Sequence, residues 1–269
     1  MSGRVVVFKF GGAALASPSR VRRAARRVAA WKRRGASVIV VTSACGRTTD
    51  RLLRWTGAVS GDAEPATREI DRALATGEDL SCSLFAAALV ARGVPAISMR
   101  GAEAGIVANG PFGRGVVQRV VPERLRDLLD RGVVPVVAGF QAARADGETI
   151  TLGRGGSDVT AVHLGAAIGA DYVHLVKDVD GIFDRDPHLC ADARLLSRMG
   201  YDELEALVLA GAEIVHVDAV RLARDRGVRL RIYGFDSPLG GDRGTIVGFG
   251  GDGDDADSRE LLSIGGQHG

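Results

Sequence analysis

Lysine is rare in this chain, and two of its lysines stand where a strand is expected to end. Of 35 basic residues, only Lys9, Lys32 and Lys177 are lysines, so arginine occupies almost every other cationic position. Lys9 comes just before Gly11 and Gly12 in the stretch FKFGG. A lysine ammonium is a compact charge on a flexible stem, whereas arginine presents a rigid planar fork. A compact ammonium just before a Gly-Gly pair therefore indicates a role that a guanidinium could not fill.

Glycine-containing junctions follow three predicted strands, in the stretches KFGG (9–12), LGRGGSD (152–158) and KDVDG (177–181). In open α/β sheets, ligands bind at the carboxyl ends of strands. Glycines there let backbone N–H groups approach an anion, and a helix N-terminus favours negative charge. The three junctions together predict a phosphate-handling site. The sequence contains no P-loop, dinucleotide-binding, zinc-peptidase, serine-hydrolase or protein-kinase motif, and its five histidines form no metal-ligand pattern.

Apolar, β-branched runs alternate with amphipathic stretches along the chain, which predicts a mostly parallel sheet covered by helices on both faces. The predicted strands are 4–10, 36–44, 95–99, 116–121, 133–140, 171–177, 228–235 and 244–248. The predicted helices are 19–35, 65–92, 122–131, 201–210, 216–226 and one that begins at an N-cap of Ser157 or Asp158. The turn at Asp146 and Gly147 predicts a hairpin or a strand with a loop, and 45–50 is expected to be a polar loop.

Composition narrows the class of protein. A formal net charge of +2 argues against a dedicated nucleic-acid binder, and the arginines of 19–35 fit the solvated face of an amphipathic helix. Cys45, Cys82 and Cys190 are widely spaced and are expected to be reduced thiols in a cytoplasmic protein. We expect no signal peptide and no membrane span, since no window reaches about 18 to 20 apolar residues. The polar stretch 250–269 is expected to be a tail.

The motifs taken together resemble the amino acid kinase family, and most closely the catalytic domain of aspartokinases. The resemblance runs over about residues 4–248. It rests on KFGG (9–12), SACGRTTDRLL (43–53), TGED (76–79), VVAGFQ (136–141), TLGRGGSDVTA (151–161), DVDGIFDRDP (178–187) and GAEIVH (211–216). It implies an α/β fold, a doubly wound α/β/α sandwich with a mostly parallel central sheet over 1–249. Within it, about 1–145 would bind the acceptor and about 146–249 the nucleotide.

The resemblance also implies a reaction, the transfer of the γ-phosphoryl group of ATP to the side-chain carboxylate of L-aspartate, with Mg²⁺ carried by the ATP. Phosphoryl transfer through a loose transition state depends mainly on positioning and charge neutralisation. Lys9 is therefore expected to follow the phosphoryl oxygens, and Asp158 to hold Lys9 or magnesium in place. The acceptor carboxylate is already ionised at neutral pH, so no general base is needed.

Ligand-binding residues are implied for both substrates. The acceptor amino acid would be bound by Ser43, Thr49, Glu78, Arg154 and Ser157. The nucleotide would be bound by Gly11, Gly12, Gly155, Gly156, Lys177, Asp178, Phe183 and Asp186. The guanidinium of Arg154 suits a carboxylate and Glu78 suits an α-ammonium. Structural roles stay open: Thr49 and Ser157 also fit helix N-caps, and Glu78 on a long helix also fits an exposed surface position.

This chain departs from the aspartokinase pattern at Ala13, Ala14, Lys177, Phe183, His188 and Glu213. The two alanines replace hydroxyl residues beside the first glycine loop, and Lys177 stands where a threonine is usual. Glu213 replaces a lysine that normally approaches the nucleotide phosphates, and a carboxylate there would repel ATP. We hypothesise that Lys177 supplies the compensating cation.

Three functions are therefore carried forward from the sequence. The first is an aspartate kinase without feedback control inside this chain, because no regulatory ACT domain follows the catalytic motifs. The second is a kinase for another amino-acid-like carboxylate in a specialised biosynthetic pathway. The third is a weakly catalytic kinase-fold binding subunit. We expect a homodimer, and a separate regulatory or pathway partner remains open.

Overall fold

A computed structural model describes residues 4–61, 63, 66–185, 190, 192–237 and 244–248 of the chain. The strands are β1 Val5–Phe10, β2 Ser37–Thr42, β3 Ala96–Met99, β4 Ile106–Asn109, β5 Val116–Val120, β6 Val134–Ala138, β7 Gln141–Ala143, β8 Thr149–Thr151, β9 Tyr172–Lys177, β10 Ile182–Phe183, β11 Leu195–Leu196, β12 Arg198–Met199, β13 Leu230–Gly234 and β14 Thr245–Val247. The α-helices are α1 Pro18–Arg33, α2 Thr48–Ser60, α3 Thr67–Val90, α4 Glu123–Asp130, α5 Gly156–Ile168, α6 Tyr201–Leu209 and α7 Val217–Arg226.

The main sheet has eight strands in the order β12-β14-β13-β9-β1-β2-β6-β3. The strands from β13 to β3 are all parallel, and β14 runs antiparallel to β13. Helices α1 and α3 pack on one face, and α4, α5 and α7 pack on the other. The predicted doubly wound α/β/α sandwich with a mostly parallel sheet is thus confirmed.

The alternation of side chains along β1 directs its lysine to one face of the sheet. Val6, Phe8 and Phe10 pack with α1 and α3, whereas Val7 packs into the cluster that includes α5. Lys9 follows Val7 by two residues and therefore points to the α5 side. Its backbone lies between β2 and β9, near the carboxyl ends of these strands.

A second sheet of four strands, in the order β5-β4-β7-β8, lies beside the main one. Of the two alternatives predicted for the stretch around Asp146 and Gly147, the hairpin is confirmed, since β7 pairs antiparallel with β8 around this turn. The strand predicted at 116–121 is β5 of this sheet. Its partner β4 was not predicted, because Ile106–Asn109 is too short a run to carry a clear period.

The predicted strands and helices agree with the observed bounds to within two residues at each end, whereas two local predictions are wrong. Residues 48–60 form helix α2, although 45–50 was expected to be a loop; the helix has no fully buried side chain, so its apolar pattern is weak. Neither Ser157 nor Asp158 caps α5, because Gly155 does. The predicted tail, 250–269, lies outside the described residues.

Helix α3 is the one described helix that meets length and hydropathy criteria for crossing a membrane, with a mean hydropathy of 1.3 over its best window. Half of that window is buried inside the structure, and core helices satisfy the same criteria. Helix α3 packs against α1, α2, β3, β6 and β8. It is therefore a core helix of this domain.

His174, in β9, is buried inside a cluster of aromatic rings. It stacks on Phe8 with 4.5 Å between ring centroids and meets the edges of Trp31 and Tyr233. Neither ring nitrogen has a hydrogen-bond partner among the described residues. Burial, followed by the charges of nearby arginines, holds the pKa of His174 well below its ordinary value. The imidazole is therefore neutral and carries two unsatisfied polar atoms, which reduces stability.

Replacing His174 by phenylalanine is expected to raise the free energy of unfolding by about 1 to 3 kcal/mol, because the unsatisfied nitrogens disappear. The gain should increase as the pH falls below about 6.5, since the unfolded histidine binds a proton that the folded one does not. Urea unfolding of both proteins at pH 5.5 and pH 8 measures this. An equal difference at the two pH values would contradict a buried neutral imidazole.

Candidate active site

Two cavities lie at the carboxyl edge of the main sheet. The small cavity, of about 240 Å³, is lined by Lys9, Ser43, Thr49, Glu78, Phe140, Gly153, Arg154, Gly155, Gly156, Ser157 and Asp158. The large cavity, of about 630 Å³, is lined by Lys177, Asp178, Val179, Gly181, Ile182, Phe183, Asp184, Arg185, Leu207, Gly211, Ala212, Glu213 and Ile214. All predicted acceptor residues line the small cavity, and three of the predicted nucleotide residues line the large one.

Lys9, Asp158 and Lys177 form a buried charged triad that connects the linings of the two cavities. Lys9 Nζ lies 2.8 Å from Asp158 Oδ1, and Lys177 Nζ donates a hydrogen bond of 2.9 Å to Asp158 Oδ2. The adjacent strands β1 and β9 supply the lysines, and the first turn of α5 supplies the carboxylate. The pairing of Lys9 with Asp158 expected from the sequence is present, and the structure adds Lys177 to it.

The two ammonium groups keep the shared carboxylate ionised. Burial alone would raise the pKa of Asp158, but the charges of Lys9 and Lys177 outweigh it and hold that pKa well below its ordinary value. The pKa of Lys177 is lowered, first by burial and then by the charge of Lys9, and Asp158 only partly offsets this. One carboxylate between two ammonium groups leaves a net positive charge in the triad.

Gly11 and Gly12 line neither cavity; they let the loop after β1 pack closely. A Cβ on Gly12 would lie 2.8 Å from the carbonyl oxygen of Ala44 and 2.9 Å from that of Gly46. A Cβ on Gly11 would contact Lys9 Nζ at 3.6 Å. The glycine pair therefore positions Lys9 against the loop after β2, which is a more indirect role than the predicted contact with the nucleotide.

Gly155, the N-cap of α5, needs to be glycine for two reasons. Its φ of +73° belongs to the left-handed region, and a Cβ would lie 2.2 Å from His216 Cβ. This close approach brings the glycine loop 153–156 against segment 211–216, which carries Glu213. The loop lines the small cavity and the segment lines the large one, so the contact links their walls.

Glu78 is buried, which makes the surface alternative wrong for this residue. Its Oε1 accepts a hydrogen bond of 2.9 Å from the backbone N–H of Ala44, and its Oε2 has no partner among the described residues. Burial raises the pKa of Glu78 to about 7, although the hydrogen bond from Ala44 opposes the rise. A buried carboxylate oxygen without a partner, in the wall of a cavity, is suited to a cationic ligand.

The N-cap alternatives for Thr49 and Ser157 are also wrong. Arg47 is the N-cap of α2 and Gly155 that of α5, so Thr49 and Ser157 lie within the first turns of these helices. Both line the small cavity together with Ser43 and with Arg154, an exposed side chain that forms no ion pair with any other described residue. Hydroxyl groups and a guanidinium therefore face the same space as Glu78.

In the large cavity, Lys177 and Asp178 stand at the carboxyl end of β9 and Phe183 lies on β10. The predicted nucleotide residue Asp186 lies outside the described residues. Glu213 is part of the wall, and within the described part of the chain it has no ion pair. Gly155 and Gly156, predicted to contact nucleotide, line the small cavity instead. No cluster of three or more carboxylate, histidine or cysteine side chains suited to a metal occurs among the described residues.

Phe140 lines the small cavity and was not identified as a site residue from the sequence. Its φ is +68°, the only positive value among the described residues other than glycine. Its N–H donates to Thr160 Oγ1, and its carbonyl oxygen accepts from the N–H of Leu152. Left-handed backbone in a bulky residue is strained and is concentrated at functional sites. The stretch VVAGFQ belongs to the resemblance, but a backbone angle cannot be inferred from it.

Comparison with known proteins agrees with this geometry. The profile of the Amino acid kinase family matches residues 4–234. Aspartokinase from Bacillus sp. (strain MGA3) is 40% identical over 243 residues, which covers 90% of this chain and 58% of that protein. Aspartokinase from Thermus thermophilus is 39% identical over 243 residues, again 90% of this chain and 59% of the relative. This chain thus spans less than two thirds of the length of these curated relatives.

Solved structures give the same result. The crystal structure of aspartate kinase from Synechocystis has a TM-score of 0.78 and 35% identity, covering 93% of this chain and 40% of that one. E. coli aspartokinase III, solved in complex with aspartate and ADP, has a TM-score of 0.80 and 24% identity, covering 93% of this chain and 66% of that one. At this identity the similarity concerns the fold alone. With its fold, its charged triad and a family match over most of its length, this chain belongs to the amino acid kinase family.

Proposed function

We propose that this protein transfers the γ-phosphoryl group of ATP to the side-chain carboxylate of L-aspartate, forming 4-phospho-L-aspartate. The observation that carries the proposal is the buried triad of Lys9, Asp158 and Lys177 between two cavities of different character. The curated relatives at 39 to 40% identity are named aspartokinases, which supports the choice of reaction.

The small cavity suits an amino acid with a second carboxylate. Glu78 offers a buried oxygen for an α-ammonium, and Arg154 offers a guanidinium for a carboxylate. Ser43, Thr49 and Ser157 add hydroxyl groups. A volume of about 240 Å³ is below the usual range of about 300 to 1,000 Å³ for drug-sized ligands, which favours a small metabolite.

The large cavity suits a nucleotide. Ile182, Phe183, Leu207 and Ile214 provide apolar walls for a base, and Lys177 provides a charge for phosphate. Magnesium would enter as part of the MgATP substrate and would reduce the negative charge of its phosphates. Asp178, in the wall beside Lys177, is the described carboxylate that we propose to face it.

The reaction requires positioning and charge neutralisation. A carboxylate oxygen of the acceptor attacks the γ-phosphorus as the bond to the β-phosphate oxygen breaks, and ADP leaves. The acceptor is already ionised, so no protein base takes a proton. Lys9 lies on the acceptor side and neutralises charge that develops on the transferred group, while Asp158 holds its ammonium in position.

A hydroxylamine trap tests the proposal. The purified protein is incubated with MgATP and a panel of amino acids, and any acyl phosphate is converted to a hydroxamate. Hydroxamate from aspartate supports the proposal. Hydroxamate only from another acid would indicate a kinase for a different carboxylate. If the protein still binds ATP but forms no hydroxamate from any acid, it is a weakly catalytic binding subunit. The carboxylate of Glu213 in the wall of the large cavity is the observation that favours this alternative.

The acceptor is expected to bind less tightly as the pH falls below 7. With a pKa of about 7, Glu78 is a carboxylate above that pH and a neutral acid below it, and only the carboxylate attracts an ammonium group. The KM for aspartate should therefore approach a tenfold rise per pH unit well below the pKa. The variant Glu78→Gln keeps an oxygen for the N–H of Ala44 and should show a high KM at every pH from 5.5 to 8. A wild-type KM that stays constant over this range would contradict the assignment.

We also propose that the protein acts in the cytoplasm as a homodimer, without a nucleic-acid or membrane partner. Helix α2 has no buried side chain, and Leu53, Trp55 and Val59 on it are exposed. These residues could be covered by a second copy of the chain or by a separate regulatory partner. Light scattering on the wild-type protein and on Trp55→Glu distinguishes the two, since only the homodimer predicts a mass of two chains in the pure protein.

A further inference from the structure

We propose that Lys177, at the end of β9, is a transition-state cation on the nucleotide side of Asp158. The inference rests on the proposed phosphoryl transfer and concerns where this chain has placed the second phosphate-binding charge. Lys177 and Glu213 line the same cavity, so a cation and a carboxylate share the wall that would face the nucleotide.

The position of Lys177 places its ammonium at the boundary between acceptor and nucleotide. It lines the large cavity, while Asp158 and Lys9 line the small one. Its Nζ is 2.9 Å from Asp158 Oδ2, and only 15% of its side chain is exposed. Lys9 and Lys177 thus lie one on each side of Asp158, each in the lining of a different cavity.

The charge of the triad requires a further anion. Two ammonium groups share a single carboxylate, and an uncompensated charge in a buried site is costly. Asp178 is exposed to solvent, which screens its charge, and Glu78 lies in the acceptor cavity with its free oxygen available for the ammonium of the substrate. A phosphoryl group in transfer carries its charge on oxygens and meets this requirement.

The other charges of the large cavity do not replace Lys177. Arg185 also lines the wall, but it forms an exposed ion pair of 3.1 Å with Asp192. Glu213 carries the opposite sign and has no ion pair among the described residues. Lys177 is therefore the buried cation of the described wall, and its lowered pKa, caused by burial and then by Lys9, would be restored when a phosphate arrives.

A charge-exchange experiment tests the inference. The variants are Lys177→Thr, which removes the cation, Glu213→Lys, which places an ammonium elsewhere in the same cavity wall, and the double variant, which carries both changes. Lys177→Thr should lower kcat by about 100-fold. In calorimetric titrations, Lys177→Thr should also lower the affinity for a non-hydrolysable ATP analogue more than the affinity for ADP, because the lost charge faces the γ-phosphate. The double variant should recover most of the lost kcat and of the lost affinity.

The outcomes separate this inference from the proposed function. If Lys177 only holds Asp158 in place, adding Glu213→Lys to Lys177→Thr will not restore kcat or nucleotide affinity. That result overturns the inference. The same conclusion follows if the wild-type protein makes an acyl phosphate and Lys177→Thr has unchanged kcat and nucleotide affinity. A wild-type protein that binds the ATP analogue but phosphorylates no acid would overturn the proposed reaction. In that case, weaker analogue binding by Lys177→Thr with recovery in the double variant would still support the cation at position 177.

Discussion

Replacing Lys9 by methionine is expected to lower kcat by about 100- to 1,000-fold, with a much smaller change in the KM for aspartate. The ammonium of Lys9 is buried and lies 2.8 Å from Asp158 Oδ1, in the wall of the small cavity. Methionine has a similar length and no charge, so it removes the neutralisation of the transferred phosphoryl group and keeps the packing. Steady-state kinetics with MgATP and aspartate measure the effect.

Two further variants make this result specific. Lys9→Arg keeps the charge but should remain strongly impaired, because the larger planar guanidinium has to fit a buried position close to Gly11. Lys32→Met removes the one lysine that lies outside the site, in the last turn of α1, and should leave kcat unchanged. A Lys9→Met variant within threefold of the wild-type kcat would contradict the role of Lys9.

Replacing Asp158 by asparagine is expected to lower the free energy of unfolding by about 3 to 5 kcal/mol at pH 7 and to abolish measurable turnover. The asparagine leaves the ammonium groups of Lys9 and Lys177 buried side by side without a negative partner. Because the folded pKa of Asp158 is depressed, its contribution is complete above about pH 4 and is lost only as the pH falls below that value. Urea unfolding between pH 7 and pH 4 should therefore show a constant deficit.

A double variant tests the cause of this deficit. Asp158→Asn together with Lys177→Met removes one of the two repelling charges, so it should be more stable than Asp158→Asn alone. Two results would show that the lysines are not coupled through this carboxylate. One is an Asp158→Asn variant whose free energy of unfolding is within 1 kcal/mol of the wild type. The other is a double variant in which Lys177→Met lowers the free energy of unfolding by as much as it does in the wild-type background.

Local features of the chain were predictable because they depend on short stretches of sequence. The β-branched run before Gly11 and Gly12 gives β1 and its lysine, and the turn at Asp146 and Gly147 gives the hairpin of β7 and β8. Period and turn chemistry act over a few residues, so they can be read without knowing the path of the chain. Helix α2 shows the limit, since none of its side chains is fully buried and its pattern was correspondingly weak.

The candidate site was predictable only in part, because burial and partners depend on contacts between distant segments. The sequence motifs brought Lys9 and Asp158 to one site, but they did not show that Lys177 shares the same carboxylate. The burial of Glu78 follows from its contact with Ala44 at the end of β2, and the left-handed backbone of Phe140 follows from its bonds to distant segments. None of these contacts leaves a periodic signal in the sequence.

The sequence by itself determined that this chain builds a mostly parallel α/β sheet with lysines and glycines at its carboxyl edge. The tertiary structure alone decided how the charges at that edge are balanced. Desolvation and Coulomb energy depend on distances in three dimensions, and the ends of β1, β9 and α5 become neighbours only when the sheet and its covering helices have assembled.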